Sequence, residues 1–156
     1  MKNNIKTIVK KTCLLILVFS FVSSFSQTSK EKKIKKELIG GGKNWNYSEA
    51  VKITDFSELL FISGQVPQDN KGNVPDNIKD QCELAWANVV KQLEQAEMST
   101  ENLVKVKFFV SDRKYLKEVG KLRNKMLLKH KPALTIIITG IYNKEWLLEI
   151  EAVAAK

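Results

Sequence analysis

Three consecutive isoleucines, Ile136 to Ile138, set the tightest limit on what this chain can form. Successive side chains of a strand point to opposite faces of its sheet, so an unbroken apolar run implies burial on both faces. Yet only two segments show helical periodicity. After Pro75, the residues Ile78, Cys82, Ala85, Val89, Leu93 and Ala96 recur at helical spacing; Asp76 or Asn77 can cap this helix, and its expected end is near Met98. Asp112 can cap a second helix, in which Leu116, Val119, Leu122 and Met126 share a side before Pro132 stops it. Two helices cover one face of a five- or six-stranded sheet and leave the other bare. The economical cover is another copy of the chain, packed sheet to sheet in a closed symmetric oligomer.

The strands themselves are read from alternation and turn residues. Residues 47–54 (YSEAVKIT) and 58–65 (ELLFISGQ) predict the first two, the second closing at Gly64 and Pro67 before a turn at Asn70, Lys71 and Gly72. Val104, Val106, Phe108 and Val110 alternate with Lys105 and Lys107, which predicts a strand with one buried face. Residues 134–141 and 147–154 complete an α+β pattern of strands and two helices, with no internal repeat.

Residues 1–26 read as a secretory signal. Lys2, Lys6, Lys10 and Lys11 precede the apolar stretch from Cys13 to Val22, which is short for a membrane span, and Ser24 and Ser26 supply the small residues of a cleavage site. The mature chain is therefore expected outside the cytoplasm, secreted or periplasmic, with no stable membrane span. Cleavage removes four lysines and no acid and lowers the formal charge from +9 to +5. Residues 27–43 form a basic arm whose run KEKKIKKE, from Lys30 to Glu37, has no aromatic residue to stack on a base. It reads as a solvated arm rather than a nucleic-acid surface. Gly40 to Gly42 followed by Lys43 resembles a phosphate loop only superficially, lacking the preceding strand and the Ser or Thr after Lys, so it reads as a hinge. Residues 44–156 remain as one domain of ordinary size.

That domain has one Cys, Cys82, on the apolar side of the first helix, and one His, His130. A packing role suits Cys82, and one His with one Cys does not make a structural zinc site, so no metal is expected. Ser63 precedes Gly64 at a strand end, where a hydroxyl and an approachable backbone can hydrogen-bond a ligand oxygen; an ordinary turn explains the pair equally well. Glu149 and Glu151 share a strand face opposite Leu148 and Ile150, and a carboxylate there can deprotonate a water or simply be solvated.

LLFISGQVP at Leu59 to Pro67, HKPALT at His130 to Thr135 and LLEIEAVA at Leu147 to Ala154, together with YSEAV at Tyr47 to Val51, resemble the signature segments of the RidA (YjgF) family of enamine/imine deaminases, in the same order. The resemblance implies a chorismate-mutase-like α+β fold, a mixed sheet with two helices on one face, and a homotrimer with small-molecule clefts between subunits. It implies hydrolysis of 2-imino or 2-enamino acids without metal or organic cofactor. It also implies Glu149 as the catalytic carboxylate, with Tyr47, Ser63, Gly64, Leu134 and Thr135 lining the substrate site. Where the family carries a carboxylate-anchoring arginine, this chain has Leu134, and Gly120 stands where many of the deaminases have Asn. The chain has two arginines, Arg113 and Arg123, both read into the second helix or its start, and Lys131 is the nearest cation in sequence to Leu134. Two readings follow from that substitution. One is a deaminase-type hydrolase acting on a substrate other than the usual 2-imino acids. The other is a non-catalytic binding or protective trimer.

Overall fold

In the computed structural model, residues 34–41, 46–127 and 130–156 are described, so the expected signal at 1–26 lies outside them. Among these residues six strands and two α-helices form, in the order β1 Lys35–Ile39, β2 Ala50–Thr54, β3 Leu59–Gln65, α1 Ile78–Gln95, β4 Leu103–Val110, α2 Leu116–Leu127, β5 Ala133–Ile138 and β6 Leu148–Ala155. Four strands make a mixed sheet in the order β3-β6-β4-β5, and β1 and β2 make an antiparallel pair. Strand β6 runs antiparallel to both β3 and β4, whereas β5 runs parallel to β4. A parallel neighbour requires a crossover, and α2 supplies it.

Helix α1 starts as its sequence requires. The Asn77 side chain accepts the backbone N–H of Asp80 at 3.0 Å, and Cys82, Ala85, Val89 and Leu93 are buried. It stops at Gln95, three residues before Met98, because Glu97 turns to a φ of 54° and the N–H of Met98 closes back on the Leu93 carbonyl at 2.9 Å. Burial pushes the Cys82 thiol up to about 12, with Glu83 and Glu118 adding to the rise, which fits a packing role. Asp112 caps a single 3₁₀ turn, Arg113–Tyr115, from which α2 continues. Gly120 lies inside α2, and a Cβ added there would meet nothing within 4 Å. Gly120→Ala is therefore expected to stabilise the fold by about 0.5–1 kcal/mol, read as a higher urea midpoint at unchanged slope.

The core sits between the helices and one face of the four-stranded sheet: Val106, Phe108, Val110, Leu148 and Ile150 are fully buried there, and Leu134, Ile136 and Ile138 pack against them. Alternation sends Ile137 to the opposite face, where it is 37% exposed, as Phe61 is to 74%. No helix of the described chain covers that second face.

The strand read over residues 134–141 ends at Ile138, and two further segments differ from their sequence reading. Residues 35–39, read as part of a solvated arm, form β1. The Lys36 ammonium donates to the carbonyls of Glu101 and Leu103, and burial lowers its pKa while Glu101 opposes the shift. Ion pairs Lys35–Asp55 at 2.7 Å and Lys52–Glu37 at 3.4 Å flank the hairpin. Residues 47–49, read as the start of the first strand, instead run beside β5: Ser48 bridges Ala133, its N–H donating to Pro132 and its hydroxyl to the Lys131 carbonyl at 2.9 Å.

Candidate functional site

Glu149 follows fully buried Leu148 and precedes fully buried Ile150, so its side chain leaves the core for the uncovered face. The start of β6 is held by Gln81, itself 2% exposed, which accepts the Leu147 N–H at 2.8 Å and donates to the Glu145 carbonyl at 2.8 Å. On β3 the register with β6 slips between Ile62 and Gln65, so Ser63 and Gly64 form an irregularity of the kind that re-aims side chains beside functional sites. Asn88 of α1 fixes the chain just beyond, donating to the carbonyls of Val66 at 2.9 Å and Gln68 at 3.1 Å.

These supports bring one carboxylate onto one glycine. A Cβ at Gly64 would lie 1.5 Å from Oε1 of Glu149 and 2.4 Å from its Cδ, so the carboxylate rests on the bare Cα. The Glu149 carboxylate makes no hydrogen bond or ion pair among the described residues. Glu151, two residues on and on the same face, is bound through both oxygens by the Lys107 ammonium, at 3.1 and 3.0 Å. The geometry thus separates two acids that sequence periodicity leaves equivalent: Glu151 is neutralised and Glu149 is available. Beside it, the Ser63 side chain is exposed and the Ser63 carbonyl accepts the Gln65 amide at 2.9 Å.

The remaining sequence-read residues lie at the other edge of the sheet. Thr135 of β5 pairs with Lys107, on the same face as Glu149. Leu134 pairs with buried Val106 and points to the helix side, packed against the core. Tyr47 is held beside the start of β5, between Ser48, fixed to Lys131 and Pro132, and Asn46, whose amide donates to the Asn124 carbonyl at 3.3 Å. Three inter-strand spacings, about 14 Å, separate β3 from β5. One copy therefore unites Ser63, Gly64 and Glu149, and places Tyr47, Leu134 and Thr135 apart from them.

Two cations near these groups have no site role in the sequence reading. Lys107 was legible only as the polar phase of an alternating strand; its partner Glu151 required the β4–β6 register. Arg123 of α2 lies in the electrostatic reach of Tyr47: burial lowers the pKa of its guanidinium, and Tyr47 opposes that shift. Among the described residues no group of three or more His, Cys, Asp or Glu is arranged to hold a metal, and no helix is long and apolar enough to cross a membrane.

Comparison with known proteins bears on the family and the fold. Residues 42–156 match the family model described as Endoribonuclease L-PSP. Protein HMF1 of Saccharomyces cerevisiae is 33% identical over 113 residues, covering 71% of this chain and 84% of the relative. A RutC family protein of Aquifex aeolicus is 35% identical over 115 residues, covering 70% and 88%. Among solved structures, one of the conserved Rid protein family from Yersinia pestis superposes with a TM-score of 0.67 at 21% identity, over 78% of this chain and 98% of the other. The YjgF gene product of E. coli superposes with a TM-score of 0.60 at 26% identity, over 70% and 87%.

Proposed function

Since the chain belongs to the Endoribonuclease L-PSP family, that of the RidA (YjgF) and RutC proteins, we propose that it is an exported imine or enamine hydrolase working in clefts between the subunits of a homotrimer. Its substrate differs from the usual 2-imino acids in meeting no cation at position 134. The observation that carries this reading is the unpaired Glu149 carboxylate seated on Gly64. Imine hydrolysis needs a group that takes a proton from water as its oxygen attacks the C=N carbon and delivers it to nitrogen, then carries the adduct's hydroxyl proton to the same nitrogen, so that the C–N bond breaks, ammonia leaves and a carbonyl remains. One available carboxylate suffices for both transfers, and the exposed Ser63 hydroxyl is placed to orient the substrate.

A cleft between copies is supported by the split of site residues over opposite sheet edges: a second copy bringing its β5 edge to the Ser63–Gly64 edge would complete the set. The basic and apolar pattern of residues 1–26 supports export. Leu134 favours a second reading, a trimer that keeps the cleft and binds without turnover. Ammonia release from freshly generated imines separates the two. In that assay Gly64→Ala is expected to cost tenfold or more in turnover, because a Cβ expels the Glu149 carboxylate from its seat. Its unfolding midpoint should hold, since the obstructing atoms belong to the movable end of a side chain. Equal turnover in the two proteins would remove Gly64 from the site, and no turnover in either would leave the binding trimer.

A further inference from the structure

Among the described cations several lysines are paired with acids, and Arg123 is among those that are not. Lys35, Lys52, Lys107, Lys114, Lys121 and Lys156 each have a carboxylate within 3.5 Å. Arg123 is partly buried and has none among the described residues, and the intervening segments 42–45 and 128–129 contain no Asp or Glu. Its only hydrogen-bond partner among the described residues is neutral: Nε and Nη2 donate to Oδ1 of Asn124, at 3.2 and 2.7 Å. That contact uses the side-on edge of the guanidinium and leaves donors at the end-on edge, a pair that also matches a carboxylate. Withdrawing a guanidinium from water without a counter-charge is unfavourable, and an arriving anion would relieve it.

Its surroundings suit a ligand. Gly120, one helical turn earlier and on the same side of α2, stands beside open space. Asn124 also receives the Asn46 amide, which ties the segment carrying Tyr47 to this part of α2. The electrostatic coupling of Arg123 to Tyr47 supports the same placement.

We propose that Arg123 is the specificity-determining cation of the cleft, receiving a carboxylate of the substrate from the α2 side of the β5 edge. This rests on the hydrolase reading and narrows its substrate class: an imine or enamine bearing an acid group that reaches α2 rather than position 134. Leu134, packed on the core side, then has no anion to hold.

The test is calorimetric titration of the full chain with 2-oxobutyrate, 2-oxoglutarate and inorganic phosphate, comparing wild type, Arg123→Gln and Arg123→Lys, with thermal melts alongside. The expected result is binding of at least one oxo acid that weakens tenfold or more in Arg123→Gln, partial retention in Arg123→Lys, and melting points within a few degrees. Equal affinities in wild type and Arg123→Gln, binding of phosphate alone, or binding of none of the three would each overturn the proposal. Ammonia release separates this inference from the reading beneath it. Arg123-dependent binding without any imine turnover defeats the hydrolase alone. Turnover unchanged by Arg123→Gln on an acid-bearing imine defeats the role of Arg123 alone.

Discussion

Under the hydrolase reading, Glu149→Gln is expected to lower ammonia release from an imine substrate by about a hundredfold to ten-thousandfold, the usual contribution of a positioned proton-transfer group. The amide keeps the size and shape of the carboxylate over Gly64 but cannot accept a proton from the attacking water. Nothing in the described structure depends on the Glu149 charge, so the urea midpoint stays near that of the wild type. Glu151→Gln is the contrasting variant. It strips the counter-charge from Lys107, whose ammonium is bound by both Glu151 oxygens, and its effect is on stability before activity. If Glu149→Gln turns over as fast as wild type while Glu151→Gln is inert and folded, the two acids exchange roles and the assignment fails.

The contrast between these acids shows what the sequence could and could not convey. The strand containing them, its two faces and the helix opposite were legible because period-two and helical spacing encode which side meets the core. The start of α1 was legible for the same kind of local reason, a side chain at position 77 able to cap the first turn. Whether Glu149 or Glu151 was free depended on a lysine 44 residues away in one case and on a missing Cβ across a sheet irregularity in the other. Neither relation is periodic. The same limit explains the ends of the first strand: Ser48 has a strand-like neighbourhood in sequence, but its hydrogen bonds go to Lys131 and Pro132. Lys35 and Lys36 looked solvated because their charges suggested water, whereas one meets Asp55 and the other the carbonyls at the start of β4. Leu134 was legible as a departure from the family motif. That it faces the helices, with Thr135 facing Glu149's side, emerged only from pairing with Val106 and Lys107.

Phe61→Asp is expected to dissolve the proposed trimer and, with it, the proposed turnover. Phe61 lies on β3 two residues before Ser63, pairs with Val153 on the uncovered face and is 74% exposed in the single chain. An aromatic ring so placed on a sheet edge is a liability unless something covers it. Covering one such ring contributes about 1.5–3 kcal/mol, and a closed ring of three copies gathers it at each of three interfaces. Aspartate forfeits that gain and adds the greater cost of desolvating an anion on a face that already carries Glu149 and Glu151. Sedimentation velocity is therefore expected to show monomer where the wild type sediments as trimer. Because Ser63 and Gly64 occupy one sheet edge and Tyr47 and Thr135 the other, the monomer retains the carboxylate on its glycine and lacks the far wall of the cleft. Ammonia release should fall with the loss of assembly and recover at protein concentrations that restore it. A Phe61→Asp protein that stays trimeric, or a monomer that turns over at the wild-type rate, would show that the site is complete within one chain.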